Sequence, residues 1–248
     1  MKLSLITVTY NCAGTLEDTI KSVKEQNCED LEYIIIDGAS TDGSVDIIKK
    51  HKDVVSFWSS TEDEGIYDAM NKGIKQATGD YIGFLHSDDM FYSDNTLNEI
   101  STALEVHSPD VLYGDLQYVN AIQTDKIIRL WKSQNYYPGL LKKGWMPPHP
   151  TLYIKKEVMK KTGFFNTSYK IAADYDYILR LFSKNVESFY YHPSVIIKMR
   201  IGGASNKSLK NIIRKSEEDL RALRTNNVGG LLTLIRKNLS KIPQFFGH

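Results

Sequence analysis

The sequence predicts an α/β domain built on a mainly parallel central sheet flanked by helices, with a helical extension at its C-terminal end. Three observations predict it. Apolar, β-branched runs alternate with helix-period segments in the order β, α, β, α, β, α, β up to Asp88, an alternation that implies right-handed crossovers. Two of those runs stop at acids, Asp37 and Asp88, as expected where the carboxyl ends of parallel strands form a ligand-binding rim. The chain has 248 residues, 42% hydrophobic and 25% charged, enough for one large domain or a domain with an appendage.

Residues 3–8 read as a buried first strand, and the capping-box pattern from Thr15 to Asp18 opens a helix with Leu16, Ile20 and Val23 on one face. Residues 33–36 form the second strand, 44–50 a short helix and 54–58 a third strand. Ile66, Met70, Gly73, Ile74 and Ala77 then mark an amphipathic helix. A fourth strand over 79–85 delivers Ser87-Asp88-Asp89. A helix is expected over 95–107, short strands at 111–113 and 117–119, and a hairpin partner at 127–131. Trp131, Tyr136, Tyr137 and Trp145 lie in a Pro- and Gly-rich stretch, where they either pack together or stack on sugar faces. Helices resume at 155–161, 173–183 and 205–226. Leu231, Leu234, Ile235, Leu239 and Ile242 line one side of a last, basic segment with no acid after Asp219. That segment either lies on an anionic leaflet or caps the domain or dimerises.

Several classes are disfavoured. Tyr10-Asn11-Cys12-Ala13-Gly14 lacks a dinucleotide-binding fingerprint, and no phosphate-cradling Gly-x-x-x-x-Gly-Lys-Ser/Thr loop occurs. A net charge of +1 gives no global signal for nucleic acid. Cys12 and Cys28 read as reduced thiols, and the short Leu3–Val8 run does not suit a signal peptide, so a cytoplasmic protein is expected. Adjacent carboxylates repel unless a cation joins them, which makes Asp88 and Asp89 a candidate metal-diphosphate site; a solvated turn is the alternative.

The ordered motifs Thr7-Val8-Thr9-Tyr10-Asn11, Asp37-Gly38-Ala39-Ser40-Thr41-Asp42-Gly43-Ser44, Gly65-Ile66-Tyr67-Asp68-Ala69-Met70-Asn71-Lys72-Gly73-Ile74 and Ser87-Asp88-Asp89 resemble family 2 glycosyltransferases of GT-A (Rossmann-like) fold, of the bacterial polysaccharide-biosynthesis type. His149-Pro150-Thr151-Leu152 and Ala173-Asp174-Tyr175-Asp176 extend the likeness to about residue 200. The resemblance implies a GT-A domain over 1–200, with a nucleotide-sugar half at 1–115 and an acceptor half at 116–200, followed by a basic amphipathic extension at 201–248.

It also implies an inverting transfer from a nucleoside-diphosphate sugar, a UDP-sugar by preference, to a glycan or lipid-linked acceptor, aided by Mn²⁺ or Mg²⁺. Thr9, Tyr10 and Asn11 would pack against the nucleobase, and Asp37 would accept hydrogen bonds from base or ribose. Asp88 and Asp89 would divide the ribose and the metal between them, in either order. Asp68 would join the donor site, and His149 would reach a phosphate or a metal, or else sit in a rigid turn. Asp174 would be the general base, with an N-terminal helix acid as the alternative; on a helix only one of Asp174 and Asp176 faces the cleft.

His86 departs from the pattern, standing where the family usually carries an acid or Asn. The charge balance gives no nucleic-acid partner, and the basic C-terminal segment leaves open peripheral contact with the inner membrane leaflet or, as the competing reading, a cap on the domain or a second copy of the chain. A catalytically silent nucleotide- or glycan-binding module is the competing reading. A sugar nucleotidyltransferase fits less well, because the loop after the first strand is not rich in glycine and arginine.

Overall fold

A computed structural model describes residues 1–26, 28–184, 186–202 and 209–240. Four parallel strands open the chain: β1 (Leu3–Thr9), β2 (Leu31–Asp37), β3 (Phe57–Ser60) and β4 (Tyr81–Phe84). They are joined by α1 (Ala13–Lys24), α2 (Ser44–Lys50) and α3 (Ile66–Gln76) and lie in the order β3-β2-β1-β4. Every residue of β1 is buried. Leu3 and Leu5 share one core with Leu16, Ile20 and Val23 of α1, while Ile6 and Val8 share the other with Met70 and Ile74 of α3. This two-sided burial is why the strand reads as a continuous apolar run. Gly73 lets α3 approach closely, since a Cβ there would collide with Ile6. The chain adds β2 and β3 on one side of β1 and β4 on the other, so the strand order reverses at the β1–β4 junction, where a ligand crevice is expected.

The second half adds β5 (Asp89–Phe91), α4 (Thr96–His107), β6 (Val111–Val119), β7 (Ile127–Trp131), β8 (Tyr153–Lys155), α5 (Lys156–Thr162), α6 (Ala173–Lys184), β9 (Phe189–Arg200), α7 (Leu209–Thr225) and α8 (Leu231–Leu239). The sheet continues β4-β8-β6-β9-β5, with β7 paired to β6. Here β8 runs antiparallel to β4 and β6, and β9 runs parallel to β6 but antiparallel to β5.

Four expectations are corrected. The third strand starts at Phe57 rather than Val54, because Val54 is hydrogen-bonded into a turn with His51 and Val55 packs into the core from outside the strand. The two short strands at 111–113 and 117–119 are one strand, β6. The short strands β5 and β8 carry too few residues to show a period. The longest omission is β9, which the sequence hides by placing Pro193 in its middle; the pairing with β6 shifts register between Tyr113–Tyr191 and Asp115–Val195, so the proline falls at an irregularity.

Ala222, Leu223, Val228 and Leu234 of the C-terminal helices belong to the same core as α6 and the sheet, so this pair caps the domain. Of the residues expected in these helices, 205–208 and Ile242 lie outside the described residues. Among the described residues no helix is long and apolar enough to cross a membrane.

Candidate active site

The strands dictate where the first site residues fall. Thr9 and Asp37 pair across β1 and β2 at their carboxyl ends, and β4 stops at Phe84 opposite Ile6. Thr9 is buried, with its hydroxyl free of any protein partner, and Tyr10 beyond it is 63% exposed. A Cβ at Gly38 would collide with the Asp63 carboxylate and touch the Tyr10 ring, so the ring lies directly against the second loop. Asn11 adopts a left-handed conformation (φ 50°) and ties the loops together: its N–H donates to Ser40 Oγ at 2.8 Å, and its Oδ1 accepts from Thr41 N–H at 2.9 Å.

Asp37 is fully buried and accepts hydrogen bonds from Ser40 N–H at 3.0 Å and the Ser60 hydroxyl at 2.6 Å, so its carboxylate orders its own loop. Asp42 accepts from the Ser44 hydroxyl at 2.6 Å and from Ala13 N–H at 2.8 Å, at the start of α1. These bonds, the Ser44 hydroxyl first, hold the Asp42 carboxyl below its usual range.

The acidic turn after β4 is fixed by α1. Thr15 Oγ1 donates to the Ser87 carbonyl at 2.9 Å and Thr19 Oγ1 to the Asp89 carbonyl at 2.8 Å. The two neighbouring carboxylates face different surroundings. Asp88 is half-buried, and its field acts on His86. Asp89 is fully buried, neither of its oxygens has a hydrogen-bond partner, and burial followed by the nearby Asp88 charge pushes its pKa well up, with Arg200 opposing. Of the expected pair of metal ligands, Asp88 is thus the more accessible carboxylate, and Asp89 is fully buried.

His149 stands on a 3₁₀ turn (His149–Thr151) after Pro148. Its ring is 5.5 Å from His86 and 6.0 Å from Phe84, and its Nε2 is buried without a partner. Burial lowers its pKa to about 4, against the pull of Asp174, so the ring is neutral near pH 7. His86 is also lowered by burial, opposed by both Asp88 and Asp174. Acids from two distant parts of the chain thus act on one histidine pair.

Asp174 opens α6. Tyr67 at the start of α3 donates its hydroxyl to the Ile171 carbonyl at 2.6 Å and approaches Asp174 Oδ1 at 3.2 Å. Asp176 points away into structure, bonded to Arg180 Nε and Asn226 Nδ2, each at 2.9 Å. Asp68 sits on a different edge, paired with Lys72 at 3.2 Å and bordering a small cleft with Glu64, Thr167 and Lys170.

A family model described as "Glycosyl transferase family 2" matches residues 4–171. The chain belongs to glycosyltransferase family 2. A PGL/p-HBAD biosynthesis glycosyltransferase of Mycobacterium bovis is 30% identical over 224 residues, covering 82% of this chain and 78% of the relative. An uncharacterised glycosyltransferase of Mycobacterium tuberculosis is 32% identical over 184 residues, covering 72% and 68%.

Among solved structures, residues 1–349 of Staphylococcus aureus TarS with UDP-GlcNAc align with a TM-score of 0.71 at 18% identity, over 92% of this chain and 66% of that TarS chain. The Pyrobaculum calidifontis mannosyltransferase PcManGT with GDP-Man and Mn²⁺ aligns at 0.67 and 19%, over 98% and 70%. The fold is GT-A, and the protein is a glycosyltransferase.

Among the described residues of this glycosyltransferase, no group of three or more His, Cys, Asp or Glu side chains could hold a metal ion. The residues still fit a hard divalent ion that draws most of its ligands from diphosphate and water, with the half-buried Asp88 as the protein carboxylate; the Nε2 of His149, like the Asp89 oxygens, is buried without a protein partner. The aromatic stretch divides: Tyr136 and Trp145 pack with Tyr113, Phe182 and Phe189, while Tyr137 remains exposed.

Sequence reasoning passed over Tyr67, although it lay inside a quoted motif. It also missed Arg200, whose guanidinium donates to the Asp88 carbonyl at 3.0 Å and to Asp18 Oδ2 at 2.7 Å, and Glu218, for which no local pattern exists.

Proposed function

We propose that this glycosyltransferase transfers a sugar with inversion from a nucleoside-diphosphate donor, UDP-linked, to a hydroxyl of a glycan or lipid-linked acceptor in surface-polysaccharide synthesis at the cytoplasmic side of the membrane. The observation that supports this reading is that the charges of Asp88 and Asp174, from opposite halves of the chain, both act on His86, whose ring lies 5.5 Å from that of His149, with β1 and β4 adjoining at the reversal of strand order. Tyr10 offers an exposed ring to the base, and Asp37 and Asn11 hold the loop behind it. Asp88 would hold Mn²⁺ or Mg²⁺ with the diphosphate; when bound, the ion supplies charge neutralisation for the departing diphosphate. His149, neutral, can share a hydrogen bond with a phosphate oxygen. Asp174 takes the proton of the acceptor hydroxyl as that oxygen forms its bond to the anomeric carbon, with Tyr67 holding the carboxylate in place.

UDP release is to be measured with a panel of UDP-sugars, with Mn²⁺ and with chelator. Transfer that needs the ion, together with an Asp174→Asn variant that binds UDP normally but does not transfer, is the expected result. Full activity in that variant removes Asp174 from its role, and absence of UDP release with every donor favours the silent binding module.

A further inference from the structure

We propose that the outward face of α8, with the neighbouring turn at Leu141–Lys143, docks on an anionic lipid surface. The inner face of α8 is committed: Thr233, Leu234 and Lys237 are buried, Thr233 Oγ1 donates to the Lys142 carbonyl at 3.3 Å, and Gly144 leaves no room for a Cβ against the Lys237 backbone. The outer face keeps Leu231, Leu232, Ile235 and Leu239 between 46% and 60% exposed. Around them stand exposed Arg236, Lys142 and Lys143, the last over the exposed ring of Tyr137. No Asp or Glu occurs between Asp125 and Glu157, or after Asp219, so the two stretches that meet here carry cations and no anionic side chain. That composition matches a leaflet of anionic headgroups over hydrocarbon. A two-fold pairing of copies through the same face would set cations against cations.

This deepens the reading of a lipid-borne acceptor, but the docking is measured without substrate, so either can fail alone. The protein should sediment with phosphatidylglycerol-containing vesicles and about tenfold less with pure phosphatidylcholine or at high salt. Leu231→Gln/Ile235→Gln and Lys142→Glu/Lys143→Glu should each lose that binding while retaining the wild-type melting temperature. Sedimentation unchanged in both variants, none with anionic vesicles, or a dimer in buffer that the leucine–isoleucine variant abolishes overturns the proposal.

A different observation carries a second inference: we infer that Glu218 of α7 is a positioning residue for Asp174. Its carboxylate accepts from the N–H groups of Lys170 (3.0 Å), Ile171 (2.8 Å) and Ala172 (2.9 Å). The Ala172 carbonyl accepts the first bond of α6 from Asp176 N–H, so Glu218 caps from another helix the turn that presents Asp174, at the positive end of the α6 dipole. Tyr67 holds the same peptide from the other side through the Ile171 carbonyl.

Glu218→Ala should lower kcat about tenfold at unchanged donor KM, and Glu218→Gln should recover part of it. Added to Asp174→Asn it should cost nothing further. Amide exchange should accelerate across 170–174 in Glu218→Ala, a readout that stands even if no transfer is found. Parallel changes in kcat and KM, additive losses in the double variant, or unaltered exchange overturns the inference.

Discussion

The loops after β1 and β2 and the turn before α6 are stabilised in opposite ways. In the first region Asp37 bonds Ser40, three residues on, and the link between the two loops runs through Asn11, Ser40, Asp42 and Ser44. The second region borrows its support: Glu218 reaches back 46 residues to Ala172, Asn226 reaches Asp176, and Lys237 reaches Asp219. The loops after β1 and β2 are thus held from within the parallel half of the sheet, whereas the turn carrying Asp174 depends on the C-terminal helices being docked.

The sharpest way to break this contrast is at the buried ion pair. Lys237 and Asp219 are each 2% exposed and 2.7 Å apart, with the ammonium 3.2 Å from the centre of the Tyr175 ring. Lys237→Met leaves Asp219 buried and unpaired and should cost about 3–5 kcal/mol in denaturant melts, while adding Asp219→Leu should restore most of it. If the second half were locally stabilised, the single variant would cost far less.

On the donor side, Asp88→Asn should weaken Mn²⁺-dependent UDP binding by about 1.5–3 kcal/mol, tenfold or more by calorimetry. Asp89→Asn, at a group whose burial already favours the neutral form, should leave UDP affinity within about threefold of wild type. Equal losses would return Asp89 to the metal site.

Tyr67 spans the two regions, and Tyr67→Phe should lower kcat about tenfold, the loss of one hydrogen bond worth about 1 kcal/mol or slightly more, with UDP binding unchanged in titrations.

The smallest effect is expected at Glu32, which accepts from Lys2 at 2.8 Å, Ser4 at 2.6 Å and Thr78 N–H at 2.7 Å. Burial opposes its ionisation, but the lysine and the other donors outweigh that and lower its pKa from 4.5 to about 2. Its folded-state pKa is depressed, so this stabilisation is present above about pH 4.5 and is lost as pH falls toward 2. Glu32→Gln should flatten that part of the acid-unfolding curve measured by circular dichroism.

The difference between the regions also governs what was legible. α1 and α3 follow from apolar periodicity because each buries one face, and β1 and β2 follow from continuous apolar runs because they are buried on both sides, which also puts Asp37 at the end of its strand. The opposite surroundings of Asp88 and Asp89 were not legible, since they depend on Arg200, which β9 brings alongside β5. β9 itself was obscured by Pro193, and β5 and β8 by their length.

By itself the sequence determined the fold class, the order of the first four strands along the chain and the family, because local periodicity and short motifs encode burial patterns and backbone turns. Only the tertiary structure decided that the charges of Asp88 and Asp174 both act on His86, that Asp89 is fully buried beside the half-buried Asp88, and that Glu218 accepts bonds from the turn before α6. Those are contacts between residues far apart along the chain, and the free energy of such contacts depends on burial and charge neighbours that no local stretch of sequence carries.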